Sequence, residues 1–366
     1  MKSWLASLVN KENTAAPIGV DFAAQRLNML QRAPGPGGPV VRAAVSLPYP
    51  FERAQLLADP RRLKSFVREA LAAAPFAGRR VVSVLAPSEV RILPLTVHVP
   101  EGQSEPQAVA RAVREQLGAA VAESVVDYYQ VRSVEAAGPE RQVLAAVAAS
   151  NNVLAYLETL RGAGLEPVAL DIGPAAIARL LAAMQEDFEQ SVLLINFGAS
   201  KSYLTVIWGR RLMLDREIDF GEMQLVDRLS RALGLAPDVA HALLREHGIG
   251  TPAGAPHRTG EQPDIGRTVR EILYQEFAAL AEELVRTQVY VASRTRGSTI
   301  SRVYLNGSVA RYRHIQERVE ELVRLPVELL DPYKAFHGTG SAAALGNDTH
   351  GIALAAGLAL RGEAHG

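Results

Sequence analysis

The chain has no cysteine, which excludes disulfides, thiol nucleophiles and cysteine-held metals. It also has no net charge, because Lys plus Arg and Asp plus Glu both total 39. That balance removes any general attraction to nucleic acid or to an anionic membrane. No apolar run reaches the roughly 18 uninterrupted residues of a spanning helix. The opening stretch, Met1 to Lys11, is too short and too polar for a signal peptide. The expectation is a cytoplasmic protein with no transmembrane segment of its own, peripheral to a membrane only through partners. The eight histidines never form a close pair at metal-ligand spacing, so no metal site is read from them. Aromatics are few, at 6%, while 48% apolar and 21% charged residues suit soluble globular cores. A length of 366 residues exceeds one ordinary domain.

What is present is a near-repeat. Val20-Asp21-Phe22-Ala23-Ala24-Gln25 and Ile195-Asn196-Phe197-Gly198-Ala199-Ser200 lie about 175 residues apart. Each heads an apolar strand pair, with an acid or its amide, an aromatic, then small residues at the turn. Small residues there let backbone N–H groups approach a phosphate, because no large side chain intervenes. Two such turns predict two similar α/β halves holding a nucleotide between them.

Strands are expected at Ile18–Phe22, from Leu27, around Val40–Val45 and at Val81–Leu85, with a turn in Pro34–Pro39 and one helix over Leu56–Ala73. From Val90 to about Leu160 the order strand, helix, strand, strand, helix reads as an inserted α+β unit. Strands then recur at Val168–Asp171, Val192–Ile195, Tyr203–Trp208 and Arg211–Ile218, the last two joined by a turn at Gly209-Arg210. Asp264 to Arg294 reads as one amphipathic helix, with Ile272, Leu273, Phe277, Leu280, Leu284 and Val291 on its buried stripe. Gly248–Pro263 reads as a mobile loop. Trp4, Leu5, Leu8 and Val9 could form one face of a short helix, and a frayed tail is the simpler reading.

The candidate nucleotide contacts are Asp21, Ala23, Ala24 and Gln25 in the first turn and Asn196, Gly198, Ala199, Ser200 and Lys201 in the second. A third turn, Leu305 to Ala310, adds Gly307 and Ser308. No catalytic base is evident.

The chain resembles the PilM family of actin-like type IV pilus proteins, including MSHA-type relatives, and more distantly FtsA. The resemblance is carried by Ile18-Gly19-Val20-Asp21, Asp127-Tyr128-Tyr129, Ala163 to Asp171, Asn196 to Ser200, Arg216 to Gly221, Leu325 to Pro332 and Ala356 to Arg361. It implies an actin-like (ribonuclease H-like) two-lobed α/β fold with an inserted small α+β domain. The implied parts are a tail (1–17), domain 1A (18–89 and 165–190), the insertion 1C (90–164), domain 2A (191–222 and 300–366) and a helix-rich 2B (223–299).

It also implies ATP or ADP with Mg²⁺ as ligand, but the departures fall at that site. Ala23 replaces a glycine, Asn28 a lysine, Asn196 an aspartate and Ser308 a glycine. The changes at Ala23, Asn28 and Asn196 weaken the hold on a nucleotide, so the site reads as degenerate and turnover is not expected. The implied partner is a PilN-like bitopic inner-membrane protein, whose N-terminal tail would lie in a groove around Val90, Ile92, Leu93, Tyr128, Leu154 and Leu157. A PilO-like protein would be reached indirectly, and a motor ATPase or platform protein is a further partner class. The resulting expectation is a non-enzymatic scaffold. The alternatives are an ATP-hydrolysing or sugar-kinase-like enzyme and an FtsA-like filament former.

Overall fold

The computed structural model describes residues 15–131, 140–185, 190–250, 265–295, 297–337 and 349–362. Trp4, Leu5, Leu8, Val9 and most of the expected loop Gly248–Pro263 lie outside them. The chain divides into two compact units, 1–186 with 210–212 and 331–366, and 187–209 with 213–330.

The first unit is built on strands β1 (Ile18–Phe22), β2 (Arg26–Gly35), β3 (Gly38–Pro48), β4 (Arg80–Val84) and β8 (Glu166–Asp171), in the order β3-β2-β1-β4-β8. β1 pairs antiparallel with β2 and parallel with β4, and β4 pairs parallel with β8. Every residue of β1 is buried, as a central strand covered on both faces requires. On one face Ile18, Val20, Leu27 and Met29 pack with Leu63, Phe66, Val67 and Leu160. On the other, Val82 and Val84 meet Ala176 and Leu358. Gly19 is needed because a β-carbon there would stand 2.0 Å from the Ala355 carbonyl oxygen.

Helix α1 (Arg53–Ala58) and helix α2 (Pro60–Ala72) replace the single helix expected over Leu56–Ala73. Pro60 takes the first position of the new helix, and Asp59 caps it by accepting from the Arg61 and Arg62 amides. The inserted unit follows the expected order: β5 (Val90–His98), α3 (Glu105–Leu117), β6 (Ser124–Gln130), β7 (Glu140–Ala149) and α4 (Ser150–Gly162). Its sheet runs β5-β7-β6, so β5 and β6 are both edges. Leu93, Val97, Val143, Ala145 and Val147 form one face, packed on Val109 and Val113 of α3. Helices α5 (Gly173–Met184) and α11 (Ala353–Ala359) pack together in the same unit.

The second unit repeats the sheet with β9 (Ser191–Phe197), β10 (Ser202–Trp208), β11 (Arg211–Ile218), β12 (Ile300–Gly307) and β13 (Val327–Leu329), in the order β11-β10-β9-β12-β13. β9 again pairs antiparallel with the next strand and parallel with a later one. Its helices include α6 (Glu222–Leu233), α7 (Pro237–His247), α8 (Ile265–Ile272), α9 (Tyr274–Arg294) and α10 (Ile315–Val323). The single helix expected over Asp264–Arg294 is thus two, broken at Leu273. Nothing in the structure explains the position of that break. Of the expected stripe, Leu273, Phe277, Leu280, Leu284 and Val291 are buried, while Ile272 is only half-buried.

Candidate functional site: two strand-end turns and an apolar groove

In the first unit, Asp21 sits in register opposite Asn28, one strand over. The Asn28 amide donates to the Asp21 carboxylate at 3.2 Å, and the Ser46 hydroxyl donates to the Asn28 amide oxygen at 2.7 Å. Arg26 closes the chain by donating to both the hydroxyl and the carbonyl of Ser46, at 2.9 Å each. The turn's own carbonyls are also taken. The Tyr49 hydroxyl donates to Ala23 O and Arg53 Nε to Phe22 O, both at 2.9 Å. Ala24 and Gln25 are exposed and Ala23 is half-buried. Burial pushes the Asp21 carboxyl up to about 6, against the opposing pull of the Asn28 hydrogen bond and the Arg53 charge.

In the second unit, Asn196 lies in parallel register with Asn306, whose amide donates to the Asn196 side-chain oxygen at 3.0 Å. The Ser308 hydroxyl donates to Gly198 O at 2.9 Å, and its amide donates to Phe197 O at 2.8 Å. The first two amides of α6, Glu222 and Met223, donate to Gly198 O and Ala199 O at 3.2 and 2.8 Å. Lys201 pairs with Asp219 and, at 3.7 Å, with Glu217. Ser200 is exposed at the turn. Gly307 has φ +91°, and a β-carbon there would lie 2.0 Å from Phe197 O. That glycine is required by the close passage of its own chain.

These residues do not fit a magnesium nucleotide. A hydrated divalent cation needs carboxylate or other oxygen ligands. Asp21 is the one acid in either turn, and burial holds it toward its neutral form. Helix N-terminal amides that could receive a phosphate are given to loop carbonyls. The turn lysine is tied to acids, and Asn28 cannot supply the charge of a lysine. Among the described residues no group of three or more His, Asp or Glu could hold a metal ion.

The second candidate surface is in the first unit. Strand periodicity divides the residues expected to line a groove. Leu93 is buried in the core beneath α3, and Tyr128 packs against that same cluster, so neither offers an open apolar face. Ile92, Val125 and Tyr129 lie on the opposite face of their strands. Val90 and Leu157 are half-buried, and Leu154 is 59% exposed. On the strands that contact α4, two further large apolar side chains are exposed, Val125 at 48% and Val168 at 45%. The three exposed residues lie on β6, α4 and β8, and α4 contacts both strands.

Val168 was missed because its strand reads as an ordinary buried one. Only its place on the sheet edge exposes it. At one end the inserted unit is tied down by the Tyr129 hydroxyl, which donates to Asp171 at 3.1 Å. Asp171 is buried and also accepts from the Ile172 amide at 2.8 Å, from Arg361 at 3.0 Å and from Arg179.

The family model for type IV pilus assembly protein PilM matches residues 19–363. A solved PilM–PilN type IV pilus biogenesis complex is similar at 22% identity and TM-score 0.73, covering 94% of this chain and 98% of that one. The ethanolamine utilization protein EutJ of Carboxydothermus hydrogenoformans is similar at 14% identity and TM-score 0.48, over 94% and 89% of the two chains. MreB5 of Spiroplasma citri bound to AMPPNP follows at 12% identity and TM-score 0.46, over 86% and 91%. The duplicated sheet order is that of the actin-like fold, and the chain belongs to the type IV pilus assembly protein PilM family.

Proposed function

We propose that this chain is a non-enzymatic scaffold of a type IV pilus assembly platform, which holds the extended N-terminal tail of a PilN-like membrane protein in its first unit. The observation that carries this reading is the trio Val125, Leu154 and Val168. They are large apolar side chains exposed on contacting elements, beside edge strands β6 and β8. An extended apolar tail would cover them and could use the open strand edges for main-chain hydrogen bonds. The chain would then be cytoplasmic and peripheral to the inner membrane through that partner, with a PilO-like protein reached indirectly. No helix among the described residues is long and apolar enough to cross a membrane.

Nucleotide has no required part in this scheme. Asp21, Asn196, Lys201 and Ser308 are paired within the chain, and no base is identified among the described residues to activate water. The test is calorimetry of the full chain with a synthetic tail peptide of the PilN-like protein encoded beside it. Covering one such side chain is worth about 1.5–3 kcal/mol, so Leu154→Asp should weaken binding at least tenfold. An unmodified peptide that shows no binding would overturn the reading. Phosphate release from ATP well above that of an Asp21→Ala chain would favour the enzyme instead.

A further inference from the structure

The zero net charge of the whole chain conceals a local excess in the first unit. Between Asp59 and Arg80 the sequence carries six basic residues and two acids. Four of the six fall on helix α2, whose Leu63, Phe66, Val67 and Ala70 are buried in the core of that unit. Successive residues of a helix are about 100° apart, so the side away from the core presents Arg61, Lys64 and Arg68, all exposed. They stand in a row about 10 Å long. None of the three forms a hydrogen bond or ion pair through its side chain among the described residues.

The two acids leave this row unpaired. Asp59 caps α2 and pairs with Arg62 at 3.2 Å. Glu69 follows Arg68 and so stands about 100° further round the helix. Two features extend the surface. Lys64 Cε and Arg79 Nη1 lie 3.9 and 3.3 Å from the point that a β-carbon on Gly164 would take, so positive charge continues to the end of α4. Gly164 leads into β8, which carries Val168 of the groove. Beside Arg62, Phe51 is 48% exposed, with the guanidinium 4.9 Å from its ring centroid. An apolar ring among cations suits a lipid headgroup layer, which takes up apolar insertion and positive charge together.

We propose that this face of α2, with Phe51, rests on an anionic lipid surface while the groove holds the tail. The choice of a lipid rests on the tail reading above, because a membrane protein's tail in the groove brings this same unit to a bilayer. Helices α2 and α4 pack together in one core, so the cationic row and the groove move as one body. Basic side chains near an anionic leaflet are attracted to it over a distance set by salt. Alone the contact is weak and reversible. Joined to the tail it becomes intramolecular, and each contact strengthens the other.

The test sediments the full chain with vesicles of phosphatidylcholine alone and with vesicles that also contain phosphatidylglycerol. The parent should bind only the anionic vesicles, and raising salt from about 0.05 M to about 0.5 M should release it. Arg61→Gln, Lys64→Gln and Arg68→Gln, made together, should weaken binding about a hundredfold. Phe51→Ser should weaken it about fivefold and leave its salt dependence unchanged. The triple variant alters exposed positions only, so it should melt with the parent and bind the tail peptide equally. Binding that ignores lipid charge, or a triple variant within about twofold of the parent, would overturn the lipid contact. So would capture of a DNA oligonucleotide without binding to anionic vesicles, which would assign the face to nucleic acid. A chain that binds the tail peptide but no vesicle loses the lipid contact and keeps the tail reading. One that binds anionic vesicles but not the peptide loses the tail reading alone.

Discussion

Asp21 offers the sharpest test of how the first turn is built. The residue is 7% exposed, and burial raises its carboxyl pKa from the ordinary 3.8 to about 6. A tenfold change in proton affinity is about 1.4 kcal/mol, so the rise corresponds to about 3 kcal/mol. The sign follows from proton uptake. Below pH 3.8 the group is neutral in both folded and unfolded chains, and it costs the fold nothing. Between 3.8 and about 6 the folded chain holds the proton more tightly, so stability falls as the pH rises. Above 6 the buried charge is present and the full cost applies.

Asp21→Asn removes that charge and keeps a group that can accept from Asn28. Counting the charge alone, the variant would match the parent near pH 4, gain through pH 4–6, and level off about 3 kcal/mol more stable above pH 7. The added amide N–H₂ needs an acceptor, which subtracts about 1 kcal/mol at every pH. The shape of the difference is therefore the diagnostic. Amide hydrogen exchange in peptides covering β1 and β2 reads it locally, which matters in a chain of two units. A variant that is less stable by the same amount at every pH would refute the reasoning. Repeating the series with magnesium and ATP gives a second arm. A cation bound at Asp21 would draw its pKa down and flatten the parent's profile, and no such flattening is expected.

Gly307→Ala should destabilise the second unit by about 3 kcal/mol or more, read by chemical denaturation. The new methyl would meet Phe197 O at 2.0 Å in a backbone already at φ +91°. Millimolar ATP with magnesium should leave the melting temperature of the full chain unchanged; an upward shift that grows with ligand concentration would contradict the misfit of the turns. Asp215 is half-buried, and desolvation of its carboxyl raises its pKa to about 6, against the Thr205 hydrogen bond. Asp215→Asn should therefore show the same rising stability advantage through pH 4–6, read by exchange in β10 and β11 peptides.

The fold was legible where local chemistry decides. Apolar alternation and small-residue turns located β1, β9 and their partners, and the succession of strands and helices along the inserted unit followed from periodicity. Pro60 shows a local signal underweighted, because its fixed φ and missing N–H start a helix far better than they continue one. The break at Leu273 carries no breaker residue at all. At the turns, the substitutions Ala23, Asn28, Asn196 and Ser308 were readable as departures from the family.

What they do instead was hidden, because it depends on register. Asn28 meets Asp21 across a hairpin, but Ser46 reaches Asn28 from a third strand, and Asn306 meets Asn196 from 110 residues away. In the groove, strand parity alone separates Leu93 and Tyr128 from Ile92 and Val125, and sequence could have supplied it. The exposure of Val168 could not be read that way, since it follows from β8 lying at the sheet edge.

The chain by itself thus determined the duplicated architecture and the family, because periodicity and residue chemistry are local properties. Only the tertiary structure decided where the freed polar groups find partners and where apolar and cationic surface remains open. Those outcomes depend on which strands become neighbours and which become edges.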